Sequence, residues 1–305
     1  MLVYTLKRLS LALLVTLAVS MLSFALLYLS GDPAAAIAGE TANADDIEAV
    51  RIYYGFDRPW VVQYGEWMFN AIRGDFGTSY YFKLPVSQLV ADRLSVTMLL
   101  GLCGISFALL TAVPLGVAAA VRPNSIIDRI ALFLSVMGQA MPSFWFGLVL
   151  IVLFSIKLRL LPPSGSDNWQ NFVMPTIVLG YYAMPAIMRL TRAGMLDVLG
   201  ADYVRTARAK GAGEFRVMFK HALRNAIIPV VSLAAVQMGF MLGGSIVVES
   251  IFALHGAGYL AWESIGRNDL PTVQALILVF SMFYIVFTFL SDLLNAWLDP
   301  RMRVG

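Results

Sequence analysis

Groups that could move a proton, attack a carbonyl or hold a metal are sparse in this chain, and their spacing builds no reactive site. The two histidines, His221 and His255, both fall in polar stretches, and the single cysteine, Cys103, lies inside an apolar run where it reads as a small buried hydrophobe. No His-Glu-x-x-His pair occurs and no histidine lies within an apolar stretch to activate a serine, so a zinc protease and a rhomboid-like protease both lack their constellation. No Gly-Lys dipeptide occurs either, which removes the phosphate-binding loop of a nucleotide hydrolase. The expectation is a non-catalytic chain with no metal site and no cofactor of its own. What the apolar stretches do contain is a few uncharged polar or polarizable side chains. Gln139, Gln237, Met241 and Ser245 could line a path for a polar cargo, or could simply pack helices together.

The elements that must carry those residues follow from composition. Of 305 residues, 59% are apolar and only 13% charged, against roughly 45–50% and about 25% in a soluble domain, so a bilayer must replace water around most of the chain. A bilayer core of about 30 Å needs roughly 20 apolar residues per helix. Six stretches of that kind lack Asp, Glu, Lys and Arg: residues 9–30, 96–121, 130–156, 172–188, 226–248 and 273–291. They are apolar on every face, which fits helices and excludes the alternating pattern of barrel strands. The first is too long for the apolar core of a secretory signal and is expected to remain as a membrane helix. Pro114, Pro142, Pro175, Pro185 and Pro229 are expected to kink these helices, and Gly239, Gly243 and Gly244 give the fifth a Gly-x-x-x-Gly face.

Six spans place both termini on one side, and that side carries 14 Lys/Arg against 8 on the other, so both termini are expected to be cytoplasmic. Acidic residues divide the other way, 6 against 13. Lys157 and Arg159 run against the rule. Because no full charge lies in the six stretches, the chain offers no relay for a driving proton or ion. Uphill transport would need a separate ATPase; without one the chain would be a channel or facilitator.

The longest connection on the terminal side, residues 189–225, carries 8 Lys/Arg against 3 Asp/Glu. Helix-forming residues run to Lys210, a Gly211-Ala212-Gly213 break follows, and a second helical run reaches His221. The small residues at the tip, Ala207, Ala209, Gly211 and Ala212, would let another protein approach the backbone closely. A basic helix held on anionic lipid would have the same composition.

Residues 201–229, ADYVRTARAKGAGEFRVMFKHALRNAIIP, resemble the cytoplasmic loop of ABC-transporter permease subunits in the form seen in the dipeptide/oligopeptide permease family. The general permease pattern is Glu-Ala-Ala, three residues, Gly, and later Ile-x-Leu-Pro. Here Arg205-Thr206-Ala207 takes the first place, Gly211 and Leu223 are kept, and Arg224 stands where the Pro would be, with Pro229 further on. Further matches run through the chain: Ser30-Gly31-Asp32-Pro33, Asp57-Arg58-Pro59, Gly74-Asp75-Phe76-Gly77-Thr78-Ser79, Met141-Pro142-Ser143-Phe144, Val248-Glu249-Ser250-Ile251-Phe252 and Asp299-Pro300-Arg301-Met302-Arg303.

The resemblance implies an all-α integral membrane protein with the type I ABC importer permease fold, specifically the first of two permease subunits, in the bacterial inner membrane. Its partners would be a second homologous permease, two ABC ATPase subunits that bind ATP and Mg, an external solute-binding protein, membrane lipid and a small peptide or similar solute. No nucleic acid is expected. Glutathione, opine-like compounds or nickel chelates are the alternative cargoes. Arg205, Thr206, Ala207, Arg208, Ala209, Lys210, Gly211, Ala212, Glu214 and Phe215 would form the coupling element seated in an ATPase groove.

Three regions result: residues 1–30 with the first span, an external helical cap over 31–95, and a five-helix core over 96–305. In the cap, helices are expected over 43–54, from Pro59 to a stop at Gly74, and from Pro85 to 94, the middle one carrying Trp60, Tyr64 and Trp67 at the membrane interface. Asp75 and Gly77 read as turn residues, and Asp45, Asp46 and Glu48 as a solvated face. Glu249, His255 and Tyr259, taken to lie in the last external loop, are candidates for an outer gate.

Overall fold

The computed structural model describes residues 2–29, 31–39 and 42–298, so Ser30 and the Asp299-Pro300-Arg301-Met302-Arg303 motif lie outside the described residues. Fourteen α-helices follow one another among them. The first four are α1 (Leu2–Leu29), α2 (Pro33–Ala38), α3 (Ala44–Tyr54) and α4 (Trp60–Ile72). They are followed by α5 (Val86–Val121), α6 (Ile126–Ala140), α7 (Ser143–Leu150) and, after a π-helical turn over Ile151–Lys157, α8 (Gln170–Leu199). Next come α9 (Asp202–Ala209) and α10 (Glu214–Arg216), a second π-helical turn over Val217–Ala222, and α11 (Leu223–Ala226). The chain closes with α12 (Ile228–Phe252), α13 (Ala257–Gly266) and α14 (Leu270–Leu298).

Five of these, in α1, α5, α8, α12 and α14, are long and apolar enough to cross a membrane, and six spans result if α6 and α7 count as one. The contacts set their directions. Gly104 meets Leu179 and Gly180, and Gly116 meets Met188 and Thr191, so α5 and α8 run parallel. Thr97 bonds Glu249 while Gly101 touches Met238, which makes α12 antiparallel to α5. Ser23 bonds the Gln274 carbonyl and Arg8 pairs Asp292 at 3.0 Å, so α1 lies antiparallel to α14. One end of the bundle therefore carries residues 31–85 and α13, and the other carries α9–α11. The main core lies where α5, α8 and α12 meet, around Leu100, Met174, Ile187, Met188, Met238 and Phe252.

Several elements depart from the sequence expectation for physical reasons. The stretch 130–156 is not one helix: α6 and α7 meet at 106°. Pro142 lacks an N–H and its ring excludes the α conformation at the preceding residue, so Met141 is extended (φ −82°, ψ 127°). Pro229 starts α12 instead of kinking it, where its missing donor costs nothing. Helix α5 has 36 residues, about 54 Å, and so begins ten residues before the expected span, inside the cap. Helix α8 likewise continues from Met188 to Leu199, so the connection after it is shorter than 189–225.

In the cap, Asn43 and Asp46 form a reciprocal capping box at the start of α3, and Asp32 caps α2. Glu48 pairs Arg51, and the Asp75 carboxylate accepts from Gly77 N–H at 2.9 Å in the expected turn. The α4 aromatics, expected at the membrane interface, gather on α1. Trp60, Tyr64 and Trp67 surround Phe24 at centroid distances of 5.9, 5.5 and 5.7 Å, and Ser20 bonds the Tyr64 hydroxyl at 2.8 Å.

Candidate functional site

Two adjoining cavities open on the faces of α8 and α12. The larger, about 710 Å³, is mostly apolar and is bounded by α1, α8, α12 and α14 together with Ser143. The smaller, about 350 Å³, is lined by Gln139, Tyr182, Ala186, Gln237 and Phe240. Tyr182, Gln237 and Phe240 border both, so the two lie side by side along one α8/α12 groove. Of the four residues expected along a path, Gln139 and Gln237 sit together in the smaller cavity, and Gln237 and Met241 line the larger. Ser245 does not join them: it is buried, its hydroxyl donates back to the Leu242 carbonyl at 2.8 Å, and it lines neither cavity.

The Gly-x-x-x-Gly face of α12 is used in two ways. Gly239 lets Tyr284 of α14 pack against the backbone, since a Cβ there would stand 2.8 Å from the ring. Gly243 and Gly244 have nothing within 4 Å and widen the groove.

At the end of the bundle opposite the cap, residues 201–226 form an exposed elbow. Helix α9 ends at Ala209, Lys210 caps it, and Gly211 turns the chain with φ +80°, a backbone state that L side chains rarely adopt. Gly213 then starts α10, which runs on through the π-helical turn and α11. Arg208 holds Glu214 across the turn with two hydrogen bonds of 2.9 and 3.3 Å, bracing the elbow from within. Arg205 reaches Asp202 at 3.5 Å, and Thr206 donates to the Asp202 carbonyl. Val204 and Val217 are buried and anchor the elbow, while Ala209, Lys210, Gly211, Phe215 and Phe219 are exposed. Phe215, 72% exposed, packs tilted against Phe219 at a centroid distance of 4.5 Å, an apolar pair left open beside a basic tip. Thr206 is exposed, and Ala207 and Ala212 are half-buried.

At the cap end, Glu249 is not in a loop. It occupies the last turn of α12, is fully buried, and accepts from Thr97 Oγ1 and from Tyr259 N–H, both at 2.8 Å. Thr97 in turn accepts from Ala257 N–H. The carboxylate and the hydroxyl thus receive the free N–H groups that open α13, tying α5, α12 and α13 together. Gly256 is needed for this, because a Cβ there would lie 2.4 Å from the Glu249 carboxylate. His255 is exposed and packs edge-on against Tyr259 at 5.5 Å, so the three residues do meet at one corner.

Sequence reasoning missed several contributors. Thr97 gave no signal, since a lone Thr is common, and Gly256, within the His255–Tyr259 run, gave no sign of its close approach to Glu249. Asp269, fully buried, receives Ser79 Oγ and Tyr80 N–H at 2.6 and 2.8 Å and so holds the turn before α5 to the start of α14. Asp128, also buried, is held by both arms of Arg192 at 2.7 and 2.8 Å, joining α6 to α8. Tyr182 and Ala186, at helical spacing, were the available sign that one α8 face borders a cavity.

Comparison with known proteins adds to this geometry. Residues 112–304 match the family described as binding-protein-dependent transport system inner membrane component, and residues 1–102 match the N-terminal part of such components. The glutathione transport system permease protein GsiC of Escherichia coli (strain K12) is 43% identical over 305 residues, covering 99% of both chains. The protein of the same name from Salmonella typhimurium (strain LT2) is 42% identical over 304 residues, again covering 99% of each. Among solved structures, an inward-facing MetNI methionine ABC transporter aligns with a TM-score of 0.58 and 19% identity, over 70% of this chain and 97% of that one. An amino acid ABC transporter with histidines aligns at 0.54 and 16%, over 69% and 94%. These two likenesses concern the fold.

Proposed function

Because the chain belongs to the family of binding-protein-dependent transport system inner membrane components, we propose that it is the transmembrane permease subunit of an ATP-driven importer for small peptides, glutathione foremost. The observation that carries the cargo is the 43% identity to a glutathione permease along 99% of both chains. The groove between α8 and α12 would form half of the path, completed by a second homologous permease. His255, Tyr259 and the Glu249-anchored corner would lie at its outer mouth.

Two ATPase subunits would supply the energy, binding ATP and Mg themselves, and an external solute-binding protein would deliver the cargo. The α9–α10 elbow is the docking element: its small-residue tip, basic charge and exposed Phe215 suit insertion into a partner's groove. The excess of Lys/Arg at that end supports a cytoplasmic position for it and for both termini, on the inner face of the inner membrane. Closure of the ATPases would then rock α8 and α12 through α9–α11. Purification in mild detergent tests the reading. The chain should bring down a nucleotide-hydrolysing subunit and a second permease, and a chain that conducts solute alone, with no such companion, would refute it.

A further inference from the structure

From the Arg189 guanidinium beside the smaller cavity, we infer a binding site for the carboxylate of the transported peptide, formed by Arg189, Gln139 and Gln237. Arg189 Nη1 donates to Gln139 Oε1 at 3.0 Å, and Gln139 lines the cavity together with Gln237. Arg189 sits on α8 three residues beyond Ala186 and seven beyond Tyr182, the spacing that puts all three on one helix face. The two neighbouring α8 arginine arrangements differ sharply. Arg192 spends its planar fork on Asp128, whereas no carboxylate among the described residues lies within ion-pair distance of Arg189. One of its five donors is occupied by an amide oxygen, and among the described residues no other side-chain hydrogen bond of Arg189 is seen, which leaves donors for an anion.

A guanidinium is the side chain best matched to a carboxylate, which it can hold with two parallel hydrogen bonds. Gln139 fixes the arginine without neutralising it, as a carboxylate in its place would. Gln237 adds an amide that can donate to the same anion. The larger apolar cavity adjoins this polar end, with Tyr182, Gln237 and Phe240 bordering both. The groove therefore suits a ligand with a carboxylate at one end and a less polar body. The inference rests on the groove being the path of the importer, and it gives that path a preference for peptides with a free carboxylate.

The test measures ligand-induced thermal stabilisation of the full chain, together with the subunits that copurify with it, in lipid nanodiscs, with glutathione and with its diethyl ester, which lacks both carboxylates. Glutathione should bind at least about tenfold more tightly than the ester, as expected for hydrogen bonds to a charged group. Arg189→Gln should abolish that preference, Arg189→Lys should keep part of it, and Gln139→Glu should abolish it by pairing Arg189 internally. Equal binding of acid and ester by the unaltered chain, no stabilisation by either, or a preference that survives Arg189→Gln would each overturn the site. An intact acid preference in a chain that never copurifies with an ATPase would reject the importer and leave the carboxylate site standing.

Discussion

Glu249 illustrates how much a single side chain can organise here. A carboxylate with no water around it is expensive unless hydrogen-bonded, and this one is satisfied by the Thr97 hydroxyl and by the opening N–H groups of α13. Glu249→Ala would leave those donors buried and unpaired, which costs about 1–3 kcal/mol. The expected outcome is a lower unfolding temperature in detergent and faster amide exchange at Ala257–Tyr259, while exchange in α8 stays unchanged. Uniform loss of protection along the chain would show that the residue does not act through α13. From the sequence, Glu249 was a polar group just outside a span, and its proximity to His255 and Tyr259 was legible. Its burial was not, because the partner that takes it inside, Thr97, stands on another helix far away in the chain.

At the level of elements, close approach between helices decides which glycines matter. On Gly180 a Cβ would stand 2.5 Å from the Gly104 carbonyl oxygen, so the parallel crossing of α5 and α8 depends on that glycine. Gly244 has open space around it. Gly180→Ala should destabilise the bundle by about 1–3 kcal/mol through forced separation of the helices. Gly244→Ala should be neutral or stabilising by up to about 1 kcal/mol, as for any exposed helical glycine. Thermal melts of the two variants side by side check this, and a reversed order would refute the packing argument. The bend between α6 and α7 belongs to the same scale. Pro142 was visible in the sequence as a kink, whereas the size of the break, 106°, and the packing of Gly147 against Phe252 of α12 were not. The α4 stripe of Trp60, Tyr64 and Trp67 was likewise readable as amphipathic, whereas its docking on Phe24 of α1 was not.

For the whole molecule, the docking role proposed for the elbow over α9–α10 can be tested at a few residues. Gly211 has a left-handed backbone, and a Cβ there would have nothing within 4 Å, so a side chain starts into open space and Gly211→Trp costs about 1–2 kcal/mol of backbone strain. The variant should insert and fold normally yet fail to drive uptake, with ATP hydrolysis no longer stimulated by solute. Reversing charge at Arg208 and Lys210 should act in the same direction, since Arg208 also loses its brace to Glu214. Uptake of labelled glutathione in vesicles holding the complete importer is the measurement. Normal uptake with normal ATPase association would remove the elbow from the coupling role.

Helical spans, their number to within the bent pair, the capping of the external helices and the glycine turn at 211 were all determined by the sequence, because each depends on local hydropathy and backbone preference. Which helices touch, where Glu249, Asp128 and Asp269 find their partners, and that Gln139 and Gln237 share a cavity while Ser245 does not, were decided only by the tertiary structure. In a bilayer every face of a span is apolar, so hydropathy cannot say which face meets a neighbour. That choice is made by the fit of side chains and glycines between helices distant in sequence.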